Sequence, residues 1–309
     1  MSAFIVLQQM LVLFAMMAIG YILWKIHWLD EDSCKGLSKL VVNVFNPLLL
    51  IASIVGYDFK SGEIFLGQNM AFVLIYFVVL FVAGYMITFL LRIKKPQRNF
   101  YQMMTMFSNI GFIGIPLVRA LLGREYVIYI AFYTLVYNVL IYTYGIYLAI
   151  KTNELPGEQM VFPVRKILNP GVIGCVVAIL IFVLDIPVAE PIVTFSNYMG
   201  DTCIPLSMIL IGTSVAKMDG KKLFSNGKMY VFLAIKMLLL PIAAAIICKG
   251  LPVDAGVYKV FIIECSVPIG SMITLIAQEY GKKDDSAVIG VVLSTVLSVI
   301  TIPIVAIFM

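Results

Sequence analysis

Ser108-Asn109-Ile110-Gly111-Phe112-Ile113-Gly114-Ile115-Pro116 sits inside a long apolar run and is poorly suited to an unbroken helix. Its two glycines weaken the helix, and its proline removes a backbone donor and frees a carbonyl about one turn earlier. Ser108 and Asn109 set polar side chains beside that break. A second stretch, Glu264-Cys265-Ser266-Val267-Pro268-Ile269-Gly270, has the same character in the C-terminal half. Irregular backbone at membrane depth is tolerated only where it is buried in protein or lines a watery cavity. The sequence around the two stretches decides how they are read.

That surrounding sequence is strongly apolar. Of 309 residues, 62% are hydrophobic and 13% charged, and the mean hydropathy is +1.03. A soluble domain usually carries about 25% charge. The composition therefore excludes an ordinary globular enzyme, a disordered chain and a nucleic-acid binder. The apolar runs predict an all-α integral membrane protein with ten transmembrane helices, at about 3–24, 36–56, 69–91, 99–121, 126–150, 170–187, 197–216, 229–249, 257–279 and 287–308. No basic residue precedes Lys25, so the first span lacks the n-region of a cleaved signal and is expected to be retained.

Basic residues orient the spans. The loops after odd-numbered spans hold sixteen Lys and Arg, the opposite side five, and Lys236 lies inside span 8. By the positive-inside bias both termini face outside. The sixteen include Arg165 and Lys166, Lys221 and Lys222, and Lys282 and Lys283. Span 1 then enters from outside and span 6 from inside. This predicts a 5+5 inverted repeat, residues 1–150 and 170–309, a plan common among secondary transporters. The segment 151–169, with Pro156, Gly157 and Pro163, reads as a cytoplasmic linker.

The breaks fall at matching places in the two halves. Span 2 carries Asn46-Pro47 and span 7 carries Pro205; Pro47 and Pro116 are 69 residues apart, Pro205 and Pro268 63. Paired interruptions of this kind point to a binding site near the bilayer midplane, where half-helix N-termini suit an anionic group. In spans 2 and 7 the alternative is a bend that shapes a scaffold. Pro241 and Pro303 read as simple kinks. Three ionisable residues lie at membrane depth, where they are costly and normally face a cavity or partner: Asp201, Lys236 and Glu264. Each carboxylate stands four residues before a break proline. Asp201 reads either as a coupling group or as an interfacial cap, and Lys236 as a side chain whose stem can snorkel to the cytoplasmic surface. Asn138 can hydrogen-bond between helices or, with Tyr137 and the nearby Tyr133, Tyr142 and Tyr144, line a pathway.

Other chemistries lack their parts. His27 is the only histidine and no CxxC pair exists among Cys34, Cys175, Cys203, Cys248 and Cys265, so no zinc-protease, metal-cluster or disulfide pattern is present. No cofactor is expected beyond a coupling H+ or Na+.

The stretch Ser108–Leu117 resembles the signature of the auxin efflux carrier family, which includes bacterial malate permeases and plant PIN carriers. Asp201-Thr202-Cys203-Ile204-Pro205 resembles that family's seventh helix. The tail is similar to its last two helices, with Ala277-Gln278-Glu279-Tyr280-Gly281 and the run Leu293–Pro303. The long central loop of the plant members is missing. The resemblance implies that broken helices 4 and 9 cross at the substrate site. It also implies a transport domain of helices 3–5 and 8–10, and a scaffold of helices 1, 2, 6 and 7 that makes a homodimer. Carried over by position, Asn109, Pro116 and Pro268 sit at the crossing, and the substrate is an organic anion.

The candidate substrate-binding set is therefore Ser108, Asn109, Gly111, Gly114, Pro116, Asn138, Ser266 and Pro268. Glu264 and Asp201 are candidates to carry the coupling proton or to shape a Na+ site, and Asn46, Pro47 and Pro205 are the further helix breaks. The expectation is a multi-pass transporter of a small organic carboxylate in a bacterial plasma membrane, working by alternating access with no nucleic-acid partner. An anion or solute channel, or an uncoupled uniporter of the same fold, is the alternative.

Overall fold

The computed structural model describes residues 3–52, 54–55, 65–95, 97–151, 169–217, 227–274, 276 and 285–309. Among these the chain is helical, with a single isolated β-bridge and no strand. The linker residues Pro156, Gly157, Pro163, Arg165 and Lys166 lie outside the described residues, as do Lys60, Lys221, Lys222, Lys282, Lys283 and the stretch Ala277–Gly281.

Among the described residues, seven helices are long and apolar enough to cross a membrane. They are α1 (Ala3–Lys25), α2 (Glu31–Ala52), α3 (Leu66–Leu90), α6 (Arg124–Lys151), α8 (Glu190–Ala216), α9 (Gly227–Cys248) and α11 (Asp285–Ala306). Four shorter helices are also described: α4 (Gln97–Met106), α5 (Ile110–Leu121), α7 (Pro170–Val183) and α10 (Ala255–Ser266). Expected span 4 is thus two helices, α4 and α5, because the chain leaves the helix at Phe107–Asn109 between them. Expected span 9 likewise ends as α10 at Ser266, before the Pro268 break. Expected span 6 is only the 14 residues of α7, about 21 Å at the rise of a helix and short of a full hydrocarbon core.

Capping moves other boundaries. Helix α2 begins five residues earlier than its apolar run because the Asp30 carboxylate accepts from the Ser33 N–H, drawing the polar turn from Glu31 into the helix. Helix α8 starts at Glu190 with Pro191 in its first turn, where a missing N–H costs nothing.

Three prolines are absorbed by widening rather than by breaking. The five residues Val41–Phe45, Ile110–Gly114 and Ile235–Leu239 form π turns just before Pro47, Pro116 and Pro241. In each case the residue before the proline donates five residues back, Asn46 to Val41, Ile115 to Ile110 and Leu240 to Ile235. The extra residue relieves the clash of the proline ring with the preceding turn. Asn46-Pro47 is therefore a bulge inside a continuous α2, not a break. Pro205 lies within α8, which runs on through it, so the break expected there is also corrected to at most a bend.

Helices α1 and α8 pack along each other, and α7 and α8 grip the C-terminal half of α2. Gly20 and Gly212 make the first contact: a Cβ at Gly20 would collide with the Ile209 backbone, and one at Gly212 with Met17. Close backbone approach through small residues is the usual means of helix association in lipid. Helices α3, α4, α9, α10 and α11 pack together around a core that includes Tyr76, Tyr101, Phe107 and Phe232. The outer faces of α1 and α3 expose Phe4, Leu11, Val78 and Phe89, as expected of helices that meet hydrocarbon.

Candidate functional site

The two interrupted stretches meet. After α4 ends, the Asn109 N–H donates to the Pro268 carbonyl at 2.7 Å, and the Gly270 N–H donates to the Phe107 carbonyl at 2.8 Å. Ser108 and Ile269 thus pair as an antiparallel bridge within a bundle of helices. The neighbouring donors are also accounted for, since Ile269 N–H donates to Ser294 Oγ on α11 and Val267 N–H to the Ile263 carbonyl. Pro268, which has no N–H, contributes only an acceptor. The unwound backbone is satisfied by its counterpart, as an apolar setting requires.

A cavity of about 80 Å³ lies against this crossing, room for several waters. Asn46, Asn109, Thr134, Tyr137, Asn138 and Asn169 are among its polar side chains, and Gly111 and Gly270 bring their backbone to it. Two helix starts open on it. Asn109 caps α5 by accepting from the Phe112 N–H at 3.2 Å; Asn169 caps α7 by accepting from the Val172 N–H at 3.1 Å. Ser271 and Met272, just after Gly270, also line the cavity. Each start carries the positive end of a helix dipole.

The asparagines form a linked set. Asn169 Nδ2 donates to Asn138 Oδ1 at 3.1 Å, and Asn138 Nδ2 donates to the Thr134 carbonyl at 2.8 Å. Two cavity-lining groups are buried with no hydrogen-bond partner, Asn46 Oδ1 and Thr134 Oγ1. They retain bonding capacity where a solute would sit.

The expected residues separate into groups. Ser108, Asn109, Gly111 and Asn138 line the cavity. Asn46, expected only as a break, lines it too. Pro268 holds the crossing through its carbonyl, Ser266 turns back on the Ile263 carbonyl, and Pro116 is buried within α5 just after its π turn. Gly114 serves Glu264: a Cβ on Gly114 would stand 2.5 Å from Glu264 Oε1 and 2.8 Å from Oε2. That carboxyl is fully buried, and neither oxygen has a hydrogen-bond partner. Tyr76 Oη donates to the Glu264 carbonyl at 3.2 Å, and the Tyr133 ring packs edge-on against Tyr76.

Two expectations are revised. Asp201 does not join Glu264; it pairs with Arg119 at 2.6 Å in an exposed position at the end of α5. Lys236 does not snorkel. Its side chain is buried, and Nζ donates to Ser108 Oγ at 2.9 Å. The π turn before Pro241 places it on the inward face of α9.

Asn169, Thr134 and Ser271 were missing from the expected set. Asn169 was legible: Asn followed by Pro-Gly and an apolar run is an N-cap signal. Thr134 stands four residues before Asn138 on the same helix face. Ser271 carries no local signal, since only the crossing brings it to α5.

Residues 5–306 match the family described as membrane transport protein. The chain belongs to that family. It is the auxin efflux carrier family that the span 4, 7 and 9–10 motifs resemble. The chain is also similar to an uncharacterized transporter of Methanothermobacter thermautotrophicus, 20% identical over 303 residues and covering 96% of each chain. This membrane transport protein is thus a multi-pass membrane protein, and the crossing and its cavity are the natural place to look for its solute.

Proposed function

We propose that this chain is a secondary transporter of a small organic carboxylate, related in type to malate permeases, and that the cavity at the crossing binds the carboxylate. One observation carries the reading: two capped helix N-termini and a set of amide and hydroxyl side chains converge on a small cavity that, among the described residues, has no carboxylate in its wall. N–H groups and positive dipole ends favour an anion there. An acidic lining would oppose it.

The same reading makes the chain ten membrane segments in a 5+5 inverted repeat. Counting α4 with α5, and α10 with the turn after Gly270, provides the segments. The close packing of α1, α2, α7 and α8 supports a scaffold of spans 1, 2, 6 and 7, with the crossing carried by spans 3–5 and 8–10. Alternating access then moves the crossing against the scaffold. Dimerisation through the scaffold, a bacterial plasma membrane and termini on the outside belong to the same proposal. Glu264 is the coupling candidate, because it is a buried carboxyl with no partner immediately behind the break.

The test is a thermal-shift screen of the purified protein against mono- and dicarboxylates, with and without Na+ and at two pH values. A ligand that binds only the folded form raises the melting temperature. A carboxylate that stabilises the wild type but not Asn109→Ala supports the site. In proteoliposomes, Glu264→Gln is expected to lose gradient-driven uptake and to keep part of its exchange; a mutant that still concentrates substrate removes the coupling role.

A further inference from the structure

Among the described residues, none of the side chains lining the cavity carries a formal charge. A cation nevertheless stands one side chain behind the wall. Lys236 is 1% exposed, and its Nζ donates to the hydroxyl of Ser108, a residue of both the wall and the crossing. Among the described residues no carboxylate lies within ion-pair distance of it. Glu264 is not its partner, because neither Glu264 oxygen accepts a hydrogen bond.

A buried lysine that is met by one hydroxyl has lost far more hydration than that bond returns. Ionisable residues persist within membrane helices mainly where they face a partner or a solute. The fold also holds this one in place. The π turn at Ile235–Leu239, locked ahead of Pro241, aims the side chain at the crossing rather than at the bilayer surface. A serine hydroxyl that accepts from Nζ keeps its own proton to donate, and hydrogen bonds in series polarise one another in a low dielectric.

We infer that Lys236, acting through Ser108, supplies the positive charge by which the cavity selects an anion over an uncharged molecule of the same shape. This rests on the reading of the cavity as the carboxylate site. Lys236 is a positioning and specificity residue and need not touch the solute. The convergent dipoles admit any acceptor-rich group, whereas Lys236 adds a full charge that distinguishes a carboxylate from its amide.

The experiment compares the affinity of the purified protein for lactate against lactamide and for malate against malamide. The wild type is expected to prefer the acid at least tenfold. Lys236→Gln should bring that ratio to within about twofold of unity, and Lys236→Arg should recover most of it. A merely structural role would weaken acid and amide alike and leave the ratio unmoved. If Lys236→Gln does not fold, Ser108→Ala carries the test: the ammonium stays, the link goes, and the ratio must fall. A wild type with no preference for the acid overturns the anion site and this assignment together. A preference lost in Asn109→Ala but intact in Ser108→Ala and in folded Lys236→Gln overturns this assignment alone.

Discussion

Gly114→Ala should change the sign of its effect according to what occupies position 264. The backbone at Gly114 is right-handed helical, φ −60° and ψ −54°, so alanine can adopt it without strain. At such a site Gly→Ala ordinarily stabilises by about 0.4–1 kcal/mol, by reducing the freedom of the unfolded chain. Here the new methyl group would stand 2.5 Å from Glu264 Oε1 and 3.0 Å from Cδ. The carboxyl is 0% exposed and can retreat only into packed side chains. Overpacking of that kind costs about 1–3 kcal/mol, so Gly114→Ala should be destabilising in the wild type. In a Glu264→Ala background the obstruction is gone and the same change should be neutral or stabilising. Equilibrium unfolding of the four proteins in mixed detergent gives the coupling energy as a double-mutant cycle, free of the effects that the two changes have separately. An additive cycle would refute the claim that Gly114 is glycine to make room for the Glu264 carboxyl.

Asn109→Ala removes the acceptor for the Phe112 N–H and should destabilise by about 1 kcal/mol, the usual cost of a lost N-cap; chemical denaturation measures it, separately from the loss of ligand-induced stabilisation. Pro205→Ala should leave stability and substrate binding close to wild type, since α8 already runs unbroken through that position; a large loss of binding in the thermal-shift assay would restore Pro205 as a functional break. Asp30→Ala should weaken the start of α2 at neutral pH, where the carboxylate accepts from the Ser33 N–H and is held below its usual range by that bond. A carboxyl lowered in the folded state stabilises above its unfolded value, and the contribution is lost as the pH falls through the folded one. The stabilities of wild type and Asp30→Ala should therefore converge on acidification, and parallel curves would refute the cap.

The interruptions of spans 4 and 9 were legible because glycine and proline weaken a helix through the backbone, although in span 4 the chain leaves the helix at 107–109 and Pro116 itself is taken up by a π turn. The prolines of spans 2 and 7 were less so. Both helices carry on, because a π turn takes up Pro47 and the long α8 tolerates Pro205, and neither adjustment leaves a mark in composition. Asp30 and Asn169 show the converse: each is an ordinary cap whose local signal was available and outweighed by hydropathy.

Membrane class, apolar helices and the two unwound stretches follow from the sequence alone, since hydropathy and backbone chemistry are local. Which groups meet across those stretches was decided by tertiary structure. Lys236 and Ser108 are 128 residues apart in the chain and 2.9 Å apart in space, and Asp201 turned outward to Arg119 while Glu264 turned inward to Gly114. Both carboxylates stand four residues before a proline, so spacing could not tell them apart. The direction each side chain faces depends on the neighbours its helix packs against, and that is not written in any single stretch.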